Sequence, residues 1–168
     1  MKATGVVRRI DDLGRVVIPK EIRKTLRIKE GDPLEIFTDK EGEVILKKYS
    51  PIGELTEFAT GYAETLAKTT GHIACITDKD TVIAVSGGAK KELLEQNIST
   101  ELEKLMDDKE KYTSKENNDL AIPITKNENK ERRYNSQVVY PIISDGDVIG
   151  TVKVTGSQLQ PGKSSNVP

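Results

Sequence analysis

The chain has 168 residues, of which 32% are charged and 4% aromatic, and it contains no tryptophan. This length suits one ordinary domain or two small ones, and any core must be mainly aliphatic. No apolar run approaches the roughly 18 residues that a membrane span needs, no signal peptide is recognisable, and a single cysteine, Cys75, excludes an internal disulfide. We therefore expect a soluble cytoplasmic protein.

The net charge of −1 conceals an asymmetry along the chain. Residues 1–29 contain nine Lys and Arg against three Asp and Glu, a local net charge of +6, which leaves −7 for the remainder. A basic end on an acidic body suggests that this end meets a polyanion. Charge by itself leaves a solvated basic surface as an equal alternative, so the placement of the charges has to decide.

The chain begins with the pattern of a β-hairpin. Segments rich in Val and Ile at 4–10 and 15–18 predict two short strands. The turn between them, at 11–14, ends on Gly14, which supplies a positive φ. Pro19 then ends the second strand because it cannot donate to a ladder.

A short helix and two more strands follow. The spacing predicts a helix over 20–26, with Ile22 and Leu26 forming its buried edge. Strands are predicted at 34–38 and 43–49, where apolar and polar residues alternate, so that each strand has one buried face.

Basic side chains gather on this amino-terminal unit. Four of them lie three and four residues apart on the predicted helix, opposite its apolar edge, and two lie near the turn of the predicted hairpin. The planar guanidinium of arginine donates two parallel hydrogen bonds, which suits phosphate and guanine. These six candidate DNA-binding residues are Arg8, Arg15, Lys20, Arg23, Lys24 and Arg27.

About fifty residues with few large apolar groups make a marginal core, and domains this small usually need a metal, disulfides or a partner chain. Residues 1–50 contain neither cysteine nor histidine. Self-association therefore remains, and a two-fold pair of basic surfaces suits duplex DNA with similar half-sites.

The segment from Gly5 to Arg23, GVVRRIDDLGRVVIPKEIR, and its continuation LRIKEGDPLEI resemble the AbrB family of swapped-hairpin transition-state regulators. The resemblance implies an intertwined swapped-hairpin β-barrel dimer with a short helix. It also implies that Arg8, Arg15 and Arg23 contact DNA. At Lys24 relatives commonly carry arginine; lysine keeps the charge but loses the planar fork, so we expect a phosphate contact there.

Residues 51–155 predict a second unit of the α+β class. Helices are predicted at 51–68, 90–95 and 100–109, the last with Thr100 and Glu103 as a capping box, and strands at 72–77, 81–86, 121–125, 137–143 and 148–155. The resemblance extends to a sporulation regulator with a second, GAF-like domain, a fold that commonly holds a small molecule. This implies a regulatory or oligomerisation domain at 51–155 whose ligand and ligand-binding residues are unknown.

Two features frame this second unit. Its first helix has an apolar seam that fits its own sheet and a second subunit equally well. The seam consists of Ile52, Leu55, Ala59, Tyr62 and Leu66.

Residues 156–168 are polar, lack helical periodicity and are predicted to be a disordered tail.

No catalytic constellation is recognisable. His72 and Cys75 are three residues apart on a predicted strand, so they point to opposite faces and cannot form a nucleophile–base pair. Asp78 and Asp80 fit turn chemistry better than a cation site. The glycines at 87–88 lack the Gly-Lys-Ser/Thr context of a phosphate loop. We expect neither an enzyme nor a metal or cofactor site.

The favoured hypothesis is a transcription regulator, both activator and repressor of sporulation-type gene expression, that binds double-stranded DNA as a homodimer or homotetramer. One alternative is a MazE-type antitoxin, which shares the amino-terminal fold but wraps its toxin with a largely disordered acidic segment. A purely structural module is a third class, and it would show no salt-sensitive DNA binding.

Overall fold

The computed structural model describes residues 4–114, 121–128, 133–134, 136–156 and 158–159. It divides into two compact units, Met1–Tyr49 and Ser50–Pro168, beside the boundary expected at residue 50. Helices and antiparallel sheets are both present, which confirms the α+β class. Within the described residues, no helix is both long and apolar enough to cross a membrane.

The first unit contains one helix and one hairpin. Helix α1 spans Lys20–Thr25, and strands β1, Leu34–Thr38, and β2, Val44–Lys48, pair antiparallel. Pro19 precedes α1 in an extended conformation, and its carbonyl accepts a hydrogen bond from Arg23 N at 2.9 Å. All three elements confirm the sequence prediction.

The two strands predicted at 4–10 and 15–18 are wrong for the single chain. A turn at 11–14 does form, with Gly14 at φ +76° and Asp11 N donating to Arg15 O at 3.0 Å. The segments on either side have no strand ladder. A strand needs hydrogen-bonding neighbours and apolar cover. Residues 4–49 supply neither here: Val7 on one side of the turn is 87% exposed.

The apolar faces of the first unit are also more open than predicted. Leu26 on the helix and one face of each strand were expected to be buried. Leu26 is 55% exposed, and the apolar strand residues Ile36 and Val44 are 66% and 67% exposed. Of residues 4–49, Pro19 alone is buried. The first unit therefore does not close a core by itself.

The second unit is built on a five-stranded antiparallel sheet. Its strand order is β4-β3-β8-β7-β5, and a separate two-stranded ladder joins β6 to β9. The strands are β3 Ile73–Thr77, β4 Val82–Ser86, β5 Tyr112–Ser114, β6 Arg133–Tyr134, β7 Gln137–Ser144, β8 Asp147–Thr155 and β9 Gln158–Leu159. Within the predicted tail at 156–168, residues 157 and 160–168 lie outside the described part of the chain.

Helices cover both faces of this sheet. Helix α2, Thr56–Thr70, follows a short 3-10 turn and packs a row of alanines on one face. Helices α3, Lys90–Leu93, and α4, Thr100–Asp107, contribute to apolar clusters with strand residues such as Cys75 and Val139, which point to the other face. The alternation of Ala74 and Cys75 between these faces follows from the two-residue period of a strand.

Two local predictions in this unit were wrong. The cap of α4 is Ser99 rather than Thr100, because the Ser99 hydroxyl accepts from Leu102 N at 3.1 Å. Residues 121–125 form no strand; they contribute one bridge, between Thr125 and Ile98. Side chains explain the second difference, because Gln137 takes the place of a strand partner. Its Oε1 accepts from Ile122 N at 2.8 Å and its Nε2 donates to Ile122 O at 2.7 Å.

Candidate nucleic-acid interface

A tight turn fixes Arg15, the second of the predicted DNA-binding residues. Oδ1 of Asp11 accepts from the backbone nitrogens of Leu13 and Arg15, at 3.1 and 2.7 Å. Oδ2 of the same carboxylate accepts from Arg15 Nε at 2.8 Å. The side chain of Arg15 is nevertheless 69% exposed. These bonds to Arg15 hold the pKa of Asp11 below its usual range.

The basic residues of α1 are open to solvent. Lys20, Arg23 and Lys24 are exposed, and so is Arg8 before the turn. Among residues 4–49, no side-chain hydrogen bond or ion pair engages any of these four. Their charge is therefore not neutralised within the unit and is available to an anionic ligand.

Arg27 differs from the prediction, because α1 ends before it. It has φ +54° and is half-buried, and its carbonyl accepts from Lys48 Nζ at 3.0 Å. The same Lys48 nitrogen lies 3.5 Å from Asp32 Oδ2, which also accepts from Lys29 N at 2.8 Å. This network ties the exit of α1 to β2, so Arg27 is anchored by its backbone rather than carried on the helix face.

Sequence reasoning missed Asp11 as a functional residue. The acid was counted only against the local positive charge, although it stands four positions before Arg15 across a glycine turn. Asp and Asn side chains commonly bond backbone nitrogens two residues ahead in such turns. That spacing was the available signal.

The second unit offers no nucleophile at Cys75. This cysteine is fully buried, and burial raises the pKa of its thiol to about 12 in spite of the nearby Lys153. His72 is exposed and precedes β3. Asp78 serves its turn as predicted, because its Oδ1 accepts from Asp80 N and Thr81 N, each at 2.7 Å.

Lys153 was not singled out from the sequence. It lies on β8 opposite Cys75 and is fully buried, and its Nζ donates to Ile122 O. Burial lowers the pKa of Lys153 to about 8, while the neighbouring Glu128 acts in the opposite direction. A lysine within an alternating strand gives no local sign of such burial.

Both units of the chain are similar to known proteins. A family described as "Stage V sporulation protein T C-terminal, transcription factor" matches residues 54–165, and one described as "Antidote-toxin recognition MazE, bacterial antitoxin" matches residues 7–54. Stage V sporulation protein T of Bacillus subtilis (strain 168) is 54% identical over 154 residues, which are 92% of this chain and 84% of the relative.

Two AbrB sequences or domains are similar to about a third of this chain. The transition state regulatory protein AbrB of Bacillus subtilis (strain 168) is 63% identical over 51 residues, 30% of this chain and 52% of that protein. The solution structure of the N-terminal DNA recognition domain of Bacillus subtilis AbrB is 61% identical, with 30% of this chain and 94% of that chain covered and a TM-score of 0.27. The resemblance inferred from the sequence is thus confirmed, and the chain belongs to the stage V sporulation protein T family of transcription factors.

Proposed function

We propose that the protein is a DNA-binding regulator that activates some genes and represses others during sporulation, acting in the cytoplasm on double-stranded DNA. The family it belongs to supports this, as does the basic surface of its first unit. The observation that carries the proposal is the set of exposed Lys and Arg side chains that have no partner among residues 4–49. Phosphate contacts neutralise such charges and release counterions from DNA.

The six predicted residues take different roles in this proposal. Arg8, Arg15 and Arg23 carry most of the recognition, because a guanidinium donates two parallel bonds to guanine or phosphate. Lys24 contacts phosphate as a point charge. Lys20 and Arg27 add to the positive electrostatic potential beside these residues, and Arg27 is held in place by its backbone carbonyl.

The binding unit in this proposal is a homodimer with intertwined hairpins. The open apolar residues of the first unit support it, since so many exposed large hydrophobic side chains are unusual for a monomeric domain. A second copy covers them, supplies strand partners for 4–10 and 15–18, and doubles the basic surface. These residues are Val6, Val7, Ile10, Leu13, Val16, Val17, Leu26, Ile36, Phe37 and Val44.

The second unit is the proposed regulatory and oligomerisation domain, with a GAF-like fold. Its α2 uses Ala59, Ala63 and Ala67 against its own sheet and leaves Phe58 and Tyr62 exposed, together with Leu55 in the turn before the helix. The rings of Phe58 and Tyr62 stack with centroids 6.2 Å apart. This exposed apolar edge suits a second copy of α2, which would assemble two dimers into a tetramer. Binding of a small molecule to this domain is part of the proposal.

The antitoxin alternative has one observation in its favour, the match of residues 7–54 to the MazE family. The second unit argues against it. An antitoxin of this type wraps its toxin with a largely disordered segment, whereas residues 50–156 contain a five-stranded sheet with three buried apolar clusters. Limited proteolysis separates the two: a folded regulator resists cleavage in this half, and an unbound antitoxin does not.

The main test is DNA binding by fluorescence anisotropy over a range of salt concentrations. With about six phosphates neutralised, log affinity falls with log salt at a slope of roughly −5. The double variant Arg15→Ala/Arg23→Ala should bind more weakly, with a slope nearer zero by about one for each phosphate that it no longer neutralises. Lys68→Ala/Lys104→Ala, which removes two exposed charges from the second unit, is the matched control and should bind like the intact protein. A slope near zero for the intact protein refutes the proposal, and so does an equal weakening in both variants.

Assembly is tested separately by sedimentation. Phe58→Ser/Tyr62→Ser should leave a dimer that still binds DNA, whereas Tyr140→Ser, which removes an equally open aromatic ring from β7, should leave the tetramer intact. A tetramer that survives the α2 changes places the contact elsewhere and overturns this part of the proposal.

A further inference from the structure

Asp11 is the one acidic side chain of residues 4–49 that forms an ion pair with a predicted DNA-binding residue. Its carboxylate accepts three hydrogen bonds, two from the turn backbone and one from Arg15 Nε. The terminal nitrogens of Arg15 donate to no acceptor in the described part of the chain. The guanidinium is therefore tethered at its inner nitrogen and open at its outer edge.

We propose that Asp11 is a positioning residue for DNA recognition: it holds the guanidinium of Arg15 by Nε, so that the two terminal nitrogens are presented together to DNA. This inference rests on the proposed function. An arginine side chain has many rotamers, and fixing it before binding lowers the conformational entropy lost in the complex. The two terminal nitrogens form the fork that fits guanine or a phosphate group.

The proposal predicts that neutralising Asp11 changes the affinity for DNA in the direction opposite to the one that charge alone would produce. A carboxylate beside a DNA-binding surface repels phosphate, so its neutralisation should tighten binding if charge were its only effect. If Asp11 orients Arg15, its neutralisation weakens binding instead. Asp12 is the matched control, because it is the next residue, carries the same charge, is exposed and forms no hydrogen bond or ion pair within residues 4–49.

The experiment compares Asp11→Asn with Asp12→Asn in the full-length protein. The probe is a labelled duplex of about 30 base pairs, enriched from a random pool by the intact protein, and affinity is read by anisotropy. We expect Asp11→Asn to weaken binding about three- to tenfold, a part of what one bidentate contact contributes. Asp12→Asn should bind as tightly as the intact protein or about twofold more tightly. If Asp11→Asn binds as tightly as Asp12→Asn does, the inference is wrong.

A double-mutant cycle shows whether Asp11 acts through Arg15. In an Arg15→Ala background, Asp11→Asn should no longer weaken binding and should follow Asp12→Asn. A weakening that persists in this background means that Asp11 serves only the turn, which overturns the positioning role. If the intact protein itself fails to bind the duplex, the proposed function fails, and that outcome is distinct from either of these.

A measurement on the unaltered protein guards against misfolding of the variants. The Nε–H resonance of Arg15 in the free protein should shift when Asp11 takes up its proton in acid, below the usual carboxyl range. The Nε–H resonance of Arg23, which has no carboxylate partner within residues 4–49, should stay constant over the same interval. An Arg15 signal that does not respond shows that the tether is absent in solution and overturns the inference.

Discussion

Two buried groups on neighbouring strands should give the second unit an unusual dependence of stability on pH. Lys153 on β8 and Cys75 on β3 stand opposite each other, and both are fully buried. Burial lowers the pKa of Lys153 from 10.5 to about 8 and raises that of Cys75 from 9.0 to about 12. Both shifts have the same main cause, the cost of a charge away from water.

The two groups act in opposite directions. Lys153 has a depressed folded-state pKa, so its contribution to stability is complete above pH 10.5 and is lost as pH falls towards 8. Cys75 has a raised pKa, so its contribution is complete below pH 9 and is lost as pH rises towards 12. Each group changes the free energy of unfolding by about 1 kcal/mol per pH unit across its interval. Stability should therefore rise by about 1 kcal/mol from pH 8 to 9, level off to about pH 10.5, and then fall.

Urea unfolding followed by far-ultraviolet circular dichroism at several pH values tests this profile. Lys153→Met should abolish the rise between pH 8 and 9, and Cys75→Ala should abolish the fall above pH 10.5. Lys104→Met, a change at an exposed position of α4, should leave both the rise and the fall of stability with pH unchanged. A flat profile in the unaltered protein, or a rise that survives Lys153→Met, would show that the ammonium group is hydrated in solution and would refute the reasoning.

Two further predictions concern packing and capping. Gly150→Ala on β8 should lower the free energy of unfolding by about 1–3 kcal/mol, because its Cβ would overlap the carbonyl oxygen of Thr77. Gly61→Ala in α2, whose Cβ would meet no atom within 4 Å, should raise the free energy of unfolding by about 0.5–1 kcal/mol. Similar urea midpoints for the two variants would contradict this prediction. Ser99→Ala should lower the free energy of unfolding by about 1–2 kcal/mol, because the Ser99 hydroxyl accepts from Leu102 N and donates to Pro123 O at 2.6 Å. Thr100→Ala should lower it much less, as measured by thermal unfolding. A larger loss of stability at Thr100 would support the capping box expected from the sequence.

Short-range patterns predicted most of the regular structure correctly. Helical spacing and strand alternation predicted α1, β1 and β2. An Asp-Gly pair is typical of a hairpin turn, and Asp145–Gly146 joins β7 to β8 with positive φ at both residues. The strand expected at 121–125 is absent for a long-range reason. Gln137 and Lys153 bond the backbone of Ile122 from 15 and 31 residues away, so a segment that looks like a strand is held by side chains instead. No local pattern encodes a partner at that distance.

The first unit shows what the alternation of apolar and polar residues along a strand can and cannot predict. It indicates that one face of a segment is covered, but not by which chain, and a single copy leaves Leu26, Ile36 and Val44 largely open. The same ambiguity applies to 4–10 and 15–18, whose strand pattern finds no partner within residues 4–49. Burial of apolar side chains favours folding, and the homodimer proposed above is the arrangement that would bury these side chains and supply the missing strand partners.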